Sequence, residues 1–146
     1  MKHAVCALTG MIGGTVAAAF GGWDTALNTL VFFMGLDYLT GLIVAGVFRR
    51  SDKSADGTLE SRAGWKGLLR KGMTLAVVFV ACRLDMLLGT DFVRNATVIA
   101  FVVNETLSII ENAGLMGVPI PAALANSIEV LRRKSGEPEE KEREHG

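Results

Sequence analysis

The sequence predicts an all-α integral membrane protein with three to four transmembrane helices and a short amphipathic C-terminal helix. Three observations carry that expectation. Half of the 146 residues are apolar, and they are bunched into runs instead of recurring with a surface-helix period, which suits lipid better than a water-facing surface. Thirteen of the fifteen Lys and Arg lie outside those runs, on segments that one side of a membrane would collect. Two carboxylates, Asp37 and Glu105, nevertheless sit near the middle of apolar runs. A charge at that depth costs roughly 2.5 to 3.5 kcal/mol on insertion scales, so both are functional-site candidates.

The first apolar stretch, residues 4–22, is mostly Ala, Gly, Val and Leu, and places Gly10, Gly14, Ala18 and Gly22 at four-residue intervals. Such a stripe of small residues lets another helix approach closely. A signal peptide is the rival reading, because Lys2 precedes the stretch and Ala17, Ala18 and Ala19 offer a cleavage site. Trp23 and Asp24 then mark an interface, since indole prefers the headgroup level. The second span covers residues 25–48, with Asp37 at its centre and Tyr38, Thr40 and Gly41 behind it; Gly41 is a further helix-packing candidate.

Residues 49–72 read as a polar connection with seven basic residues (Arg49, Arg50, Lys53, Arg62, Lys66, Arg70 and Lys71) against three acids, hence cytoplasmic. In its second half Arg62, Lys66 and Arg70 are spaced four apart with Trp65, Leu68 and Leu69 between them. That spacing predicts a short interfacial helix on anionic lipid headgroups, Lys71 included; a solvated loop is the plain alternative. The third span, residues 73–88, is short and carries Arg83 and Asp85, which at a spacing of two do not face each other. Arg83 is expected to snorkel outward or to meet an acid on a neighbouring helix.

A tight turn leads into the fourth span, residues 93–113, in which Thr97, Asn104, Glu105, Ser108, Glu111 and Asn112 fall within one arc and Ile and Val fill the remainder. Gly114, Gly117, Pro119 and Pro121 end it, an amphipathic helix follows over 120–134, and the charged tail 135–146 is expected to be disordered. Residues 1–134 thus form a single membrane domain. At 1.5 Å per residue, Asp37 and Glu105 both lie about 18 Å from the outer ends of their spans, so contact between them is possible. Two carboxylates in low dielectric are expected to be protonated, to share a proton or to face water. The alternative is a structural role, each neutral and hydrogen-bonded to Asn104, Ser108, Thr40 or Tyr38.

Other classes are disfavoured. Equal numbers of acidic and basic residues argue against a nucleic-acid binder. Cys6 and Cys82 fall in apolar stretches and read as small buried hydrophobes, while His3 and His145 lie in the tails. No nucleophile constellation, metal-ligand spacing or phosphate-cradling loop is present, so neither an enzyme nor a cofactor or metal is expected.

Five segments, in order, resemble a known family: Asp37-Tyr38-Leu39-Thr40-Gly41; Ser61 to Lys71 with its Gly64-Trp65-Lys66-Gly67-Leu68-Leu69-Arg70-Lys71 run; Asp85; Asn104 to Asn112; and Gly117-Val118-Pro119-Ile120-Pro121. Together they are similar to the phage-lysis and toxin-secretion holins over about residues 25–134. The resemblance implies a homo-oligomer in the bacterial inner membrane that opens holes for a cytoplasmic endolysin or a toxin, in some cases with an antiholin as partner. Family members are usually drawn with about three spans, so residues 4–22 depart from that picture. A small proton-coupled transporter or channel, and an antiholin or membrane scaffold, are the competing functions.

The basic segments place both termini and residues 49–72 in the cytoplasm. A cysteine placed at Asp56, in a background with Cys6 and Cys82 changed to Ser, should resist an impermeant thiol reagent in intact spheroplasts. Labelling there would overturn the topology.

Overall fold

The computed structural model describes residues 2–50 and 60–135. Among these it contains five helices and no strand: α1 (Lys2–Ala19), α2 (Thr25–Ile43, continued by a π-helical turn Val44–Phe48), α3 (Ser61–Leu88), α4 (Phe92–Leu115) and α5 (Ala122–Ser135). The charged tail beyond Ser135 and the loop around Lys53 and Asp56 lie outside the described residues.

The main difference from the sequence reading is α3. The expected interfacial helix and the short third span are one 28-residue helix, so only part of 49–72 is a connection. Gly72 at the expected break costs a helix only about 1 kcal/mol relative to Ala, and no proline or cap accompanies it. At 1.5 Å per residue α3 is about 42 Å long, more than the 30 Å or so of a hydrocarbon core. Two helices, Thr25–Phe48 and Phe92–Leu115, are long and apolar enough to cross a membrane on composition alone.

The helices bury narrow seams. On α2 the buried positions Leu27, Leu30, Met34 and Asp37 alternate by three and four; on α3 Val78, Cys82 and Asp85 do the same. Val98, Val102, Glu105 and Asn112 form the seam of α4. Leu27, Leu30, Met34, Val78, Cys82, Val98 and Val102 make a small apolar core where α2, α3 and α4 meet. Outside it, Phe32, Leu36, Leu39, Phe79, Val80, Leu84 and Leu87 are exposed. An apolar belt of that extent is far larger than the patches soluble monomers carry, and it is satisfied by lipid.

The turns joining α1 to α2 and α3 to α4 are clasped at one end of the bundle. Asp85 accepts the backbone N–H groups of Val93 and Arg94 (3.1 and 2.7 Å) and the Thr90 hydroxyl (2.6 Å). Two of the orphan donors at the start of α4 are thereby satisfied from the preceding helix. The buried Arg94 guanidinium donates to the carbonyls of Phe20 and Gly22 and to Asp24, and the Cys82 thiol also donates to the Phe20 carbonyl. Gly21 and Gly22, at φ 73° and 99°, supply the left-handed backbone that brings those carbonyls round. Arg83, by contrast, is exposed and reaches the Met86 sulfur instead of an acid.

One expectation about α1 is corrected: Cys6 is exposed, not buried. The Gly10, Gly14, Ala18, Gly22 stripe approaches no other helix among the described residues; a Cβ built on Gly10 or Gly14 would meet nothing within 4 Å. The cause is the same in both cases. α1 buries no residue and is held to the bundle through the carbonyls just past its C-terminus.

Asp24 caps α2 by accepting the Leu27 N–H at 2.9 Å, and the hydrogen bond from Arg94 holds its carboxyl below the ordinary carboxylate value. Asp24→Ala should therefore cost about 1 kcal/mol in detergent micelles at neutral pH, the typical loss of an N-cap. Because the folded-state pKa is depressed, the ionic part of that stabilisation is present above the ordinary value of 3.8 and is lost as pH falls through the folded one. The gap between wild type and Asp24→Ala in urea unfolding should narrow as pH falls below about 4.

Candidate functional site

The seams of α2, α3 and α4 converge, at the end of the apolar core away from the clasp, on a layer of charge. Lys71 lies on the inward seam of α3, at three- and four-residue spacing from Gly64, Gly67, Leu75, Val78, Cys82 and Asp85. Its ammonium donates to Asp37 Oδ2 on α2 at 2.8 Å and to Glu105 Oε2 on α4 at 2.5 Å, with side chains only 13%, 8% and 6% exposed. Asn112, two turns beyond Glu105 on the same seam, donates its amide to Asp37 Oδ1 at 3.1 Å and to the Thr40 hydroxyl at 2.8 Å. Thr40 in turn donates to the Asp37 carbonyl. One lysine thus ties two carboxylates from two other helices, and an amide and a hydroxyl complete the cluster.

Tyr38 packs beside the Gly64 and Gly67 positions of α3. A Cβ at Gly64 would lie 3.6 Å from Tyr38 Oη and one at Gly67 4.0 Å from the Tyr38 ring, ordinary contact distances. Tyr38 follows Asp37 on α2, and this close approach helps set Lys71 opposite its two acids.

Asp37 and Glu105 are brought together through Lys71 and not by direct contact, whereas Asn112 joins Asp37 and Thr40 by direct hydrogen bonds. The expectation that the acids would be protonated, share a proton or face water left out a cation. Lys71 itself is a correction: expected on the headgroups, it lies inside the bundle, whereas Arg62, Lys66 and Arg70 are exposed. Neighbours in sequence lie 100° apart on a helix, so Arg70 pointing outward leaves Lys71 pointing in. The polar arc of α4 divides for the same reason. Glu105 and Asn112 face the bundle, Asn104 and Glu111 are exposed, and Ser108 and Thr97 are half-buried, the Thr97 hydroxyl donating to the Val93 carbonyl at 2.7 Å. Gly41 is half-buried on α2.

Sequence reasoning passed over Lys71 as a partner and Arg94 as a clasp. Both signals were present: Lys71 falls in phase with Val78, Cys82 and Asp85, and Asp85 stands just ahead of a short turn that begins a helix. Among the described residues no group of His, Cys, Asp and Glu could hold a metal ion.

An all-helical chain with an apolar belt and an ionic layer between its helices is a membrane protein, and comparison with known proteins defines its kind. The bacteriophage holin family matches residues 14–133, and the chain belongs to that family. It is a non-enzymatic, pore-forming membrane family, so this chain is not an enzyme. A probable holin of Bacillus phage phi105 is 34% identical over 117 residues, covering 80% of this chain and 81% of the relative. A 14.9 kDa protein in the nagH 3' region of Clostridium perfringens is 41% identical over 117 residues (79% and 83%). Listeria monocytogenes Lmo0128 is 36% identical over 130 residues (88% and 87%). No solved structure matches the chain.

Lys71→Met should strand two buried carboxylates and destabilise the protein in micelles by about 3 kcal/mol, the lower bound for breaking a buried ion pair. Adding Asp37→Asn and Glu105→Gln to that variant should recover most of the loss. A Lys71→Met protein as stable as wild type would mean that the ammonium does not hold the layer.

Proposed function

We propose that this chain is a holin that accumulates in the bacterial inner membrane, oligomerises, and opens holes through which a cytoplasmic endolysin reaches the wall. Family membership and the phage relative support the holin role. The single observation that carries the finer reading is that α4 has two polar edges. Glu105 and Asn112 are satisfied inside the monomer, whereas Asn104 and Glu111 project from its surface. A polar edge exposed on a helix apolar enough to span is costly toward lipid and favourable toward another polar helix or water.

On this reading the resting monomer is held closed by Lys71, and assembly turns the outer edge of α4, with Asn104, Ser108 and Thr97, toward a lumen. α3 and α1 would accompany α2 and α4 as spans, with both termini and the connection ahead of α3 in the cytoplasm. In the resting monomer Arg62, Lys66 and Arg70 would then sit among anionic headgroups of the inner leaflet. The partners are further copies of the chain, anionic lipid, an endolysin, and in some settings an antiholin. Proton exchange at the Asp37, Lys71 and Glu105 layer would suit a small proton-coupled transporter, the second reading, because it puts acids and a base together at depth.

Induced expression should halt respiration abruptly after a delay, and co-expression of a signal-less endolysin should turn the arrest into lysis. Loss of membrane potential without enzyme release would reject the large hole in favour of a narrow channel. An intact potential at high expression would favour the transporter or antiholin. Asp37→Asn should insert normally yet shift the moment of arrest severalfold; arrest on the wild-type schedule for both Asp37→Asn and Glu105→Gln would make the ionic layer purely structural.

A further inference from the structure

We propose that neighbouring copies of this chain join head-to-tail through an ion pair between Glu111 on α4 of one copy and Arg70 on α3 of the next. The proposal rests on the assembly read above and assigns its contact. Glu111 and Arg70 are both exposed, and neither takes part in any of the ion pairs formed among the described residues, which use Asp37, Lys71, Glu105, Asp24, Arg94, Glu129 and Arg133. Their outward direction is enforced by their neighbours. Arg70 precedes Lys71 and Glu111 precedes Asn112, and both of those followers are locked into the ionic layer. The two unpaired charges are therefore by-products of the two residues that hold the bundle shut.

Depth then selects the partner. Copies related by an axis along the membrane normal keep every residue at its own level, so two groups can meet across their interface only when their levels agree. The α3–α4 turn provides a common origin. Glu111 lies nineteen positions beyond Phe92 and Arg70 eighteen before Leu88, so along antiparallel helices their levels differ by about 1.5 Å. Of the other exposed cations of α3, Lys66 lies about 4.5 Å from the level of Glu111, and Arg62 and Arg83 about 10 and 21 Å from it. Opposite charge, exposure and level coincide most closely for Glu111 and Arg70. A contact between two different surfaces of the same chain is heterologous, and heterologous contacts propagate into rings or arcs whose size grows with the number of copies. A self-complementary contact would stop at a dimer.

The test uses the full chain in bacterial membranes, with Cys6 and Cys82 changed to Ser so that the Cys82 hydrogen bond to Phe20 is retained in kind. Two differently tagged versions, one carrying Glu111→Cys and the other Arg70→Cys, are co-expressed and oxidised. The proposal predicts a mixed disulfide dimer at least tenfold more abundant than either homodimer, and a ladder of multimers when both cysteines are on one chain. Glu111→Arg and Arg70→Glu should each reduce oligomer yield about tenfold in membranes that contain normal amounts of the protein, and the double reversal should restore it to within about threefold of wild type. Homodimers at position 111 or 70 as the main product, or a double reversal no better than the singles, would overturn the pairing. If an amine-reactive cross-linker still captures oligomers in that case, only the contact is wrong. If no cross-linker captures any, the assembly itself is wrong.

Discussion

One ammonium between two carboxylates is the constraint on which the described structure depends. Asp37, Lys71 and Glu105 come from three different helices, and any of the three alone would be an expensive guest in an apolar bundle. Together they satisfy one another only when α2, α3 and α4 are in one rotational setting. The apolar core beside them is small, seven side chains, and in lipid it provides no hydrophobic driving force comparable to that in water. Packing and this ionic layer must therefore fix the register of the bundle. The clasp of Asp85, Arg94 and Asp24 does the same at the opposite end, where Arg94 reaches across to the carbonyls of Phe20 and Gly22.

Between those two ends the chain divides into a held part and a loosely held part. α2, α3 and α4 share seams, and α5 leans on α4 with Ile128 buried. α1 shares none and is attached through its C-terminal carbonyls at a glycine turn. Its exposed Val5, Leu8, Met11 and Ile12 belong in lipid or against another helix, so the segment has freedom that the rest of the bundle lacks.

Much of this was legible in the sequence because membrane helices write their character in long runs. The positions of α2 and α4, the depth match of Asp37 and Glu105, and the polarity of α4 all follow from spacing. The rest was hidden for identifiable reasons. Lys71 sits in a run of bases, and a count of charge assigns it to the surface with Arg70, although its phase with Val78 and Cys82 turns it inward. The polar arc of α4 looks like one face in projection, yet Asn104 and Glu105 are a full residue step apart and end on opposite sides of the contact. α3 is continuous because Gly72 lacks the companions that turn a glycine into a break.

The register of α2, α3 and α4 follows from where the Lys71 ammonium resides. The most direct test is solid-state NMR of the protein in anionic lipid bilayers, with 15N in the Lys71 side chain and 13C in the carboxyls of Asp37 and Glu105. Dipolar coupling of the Lys71 nitrogen to both carboxyl carbons is the result the structure predicts; coupling to lipid phosphorus, with neither carboxyl in range, would contradict it.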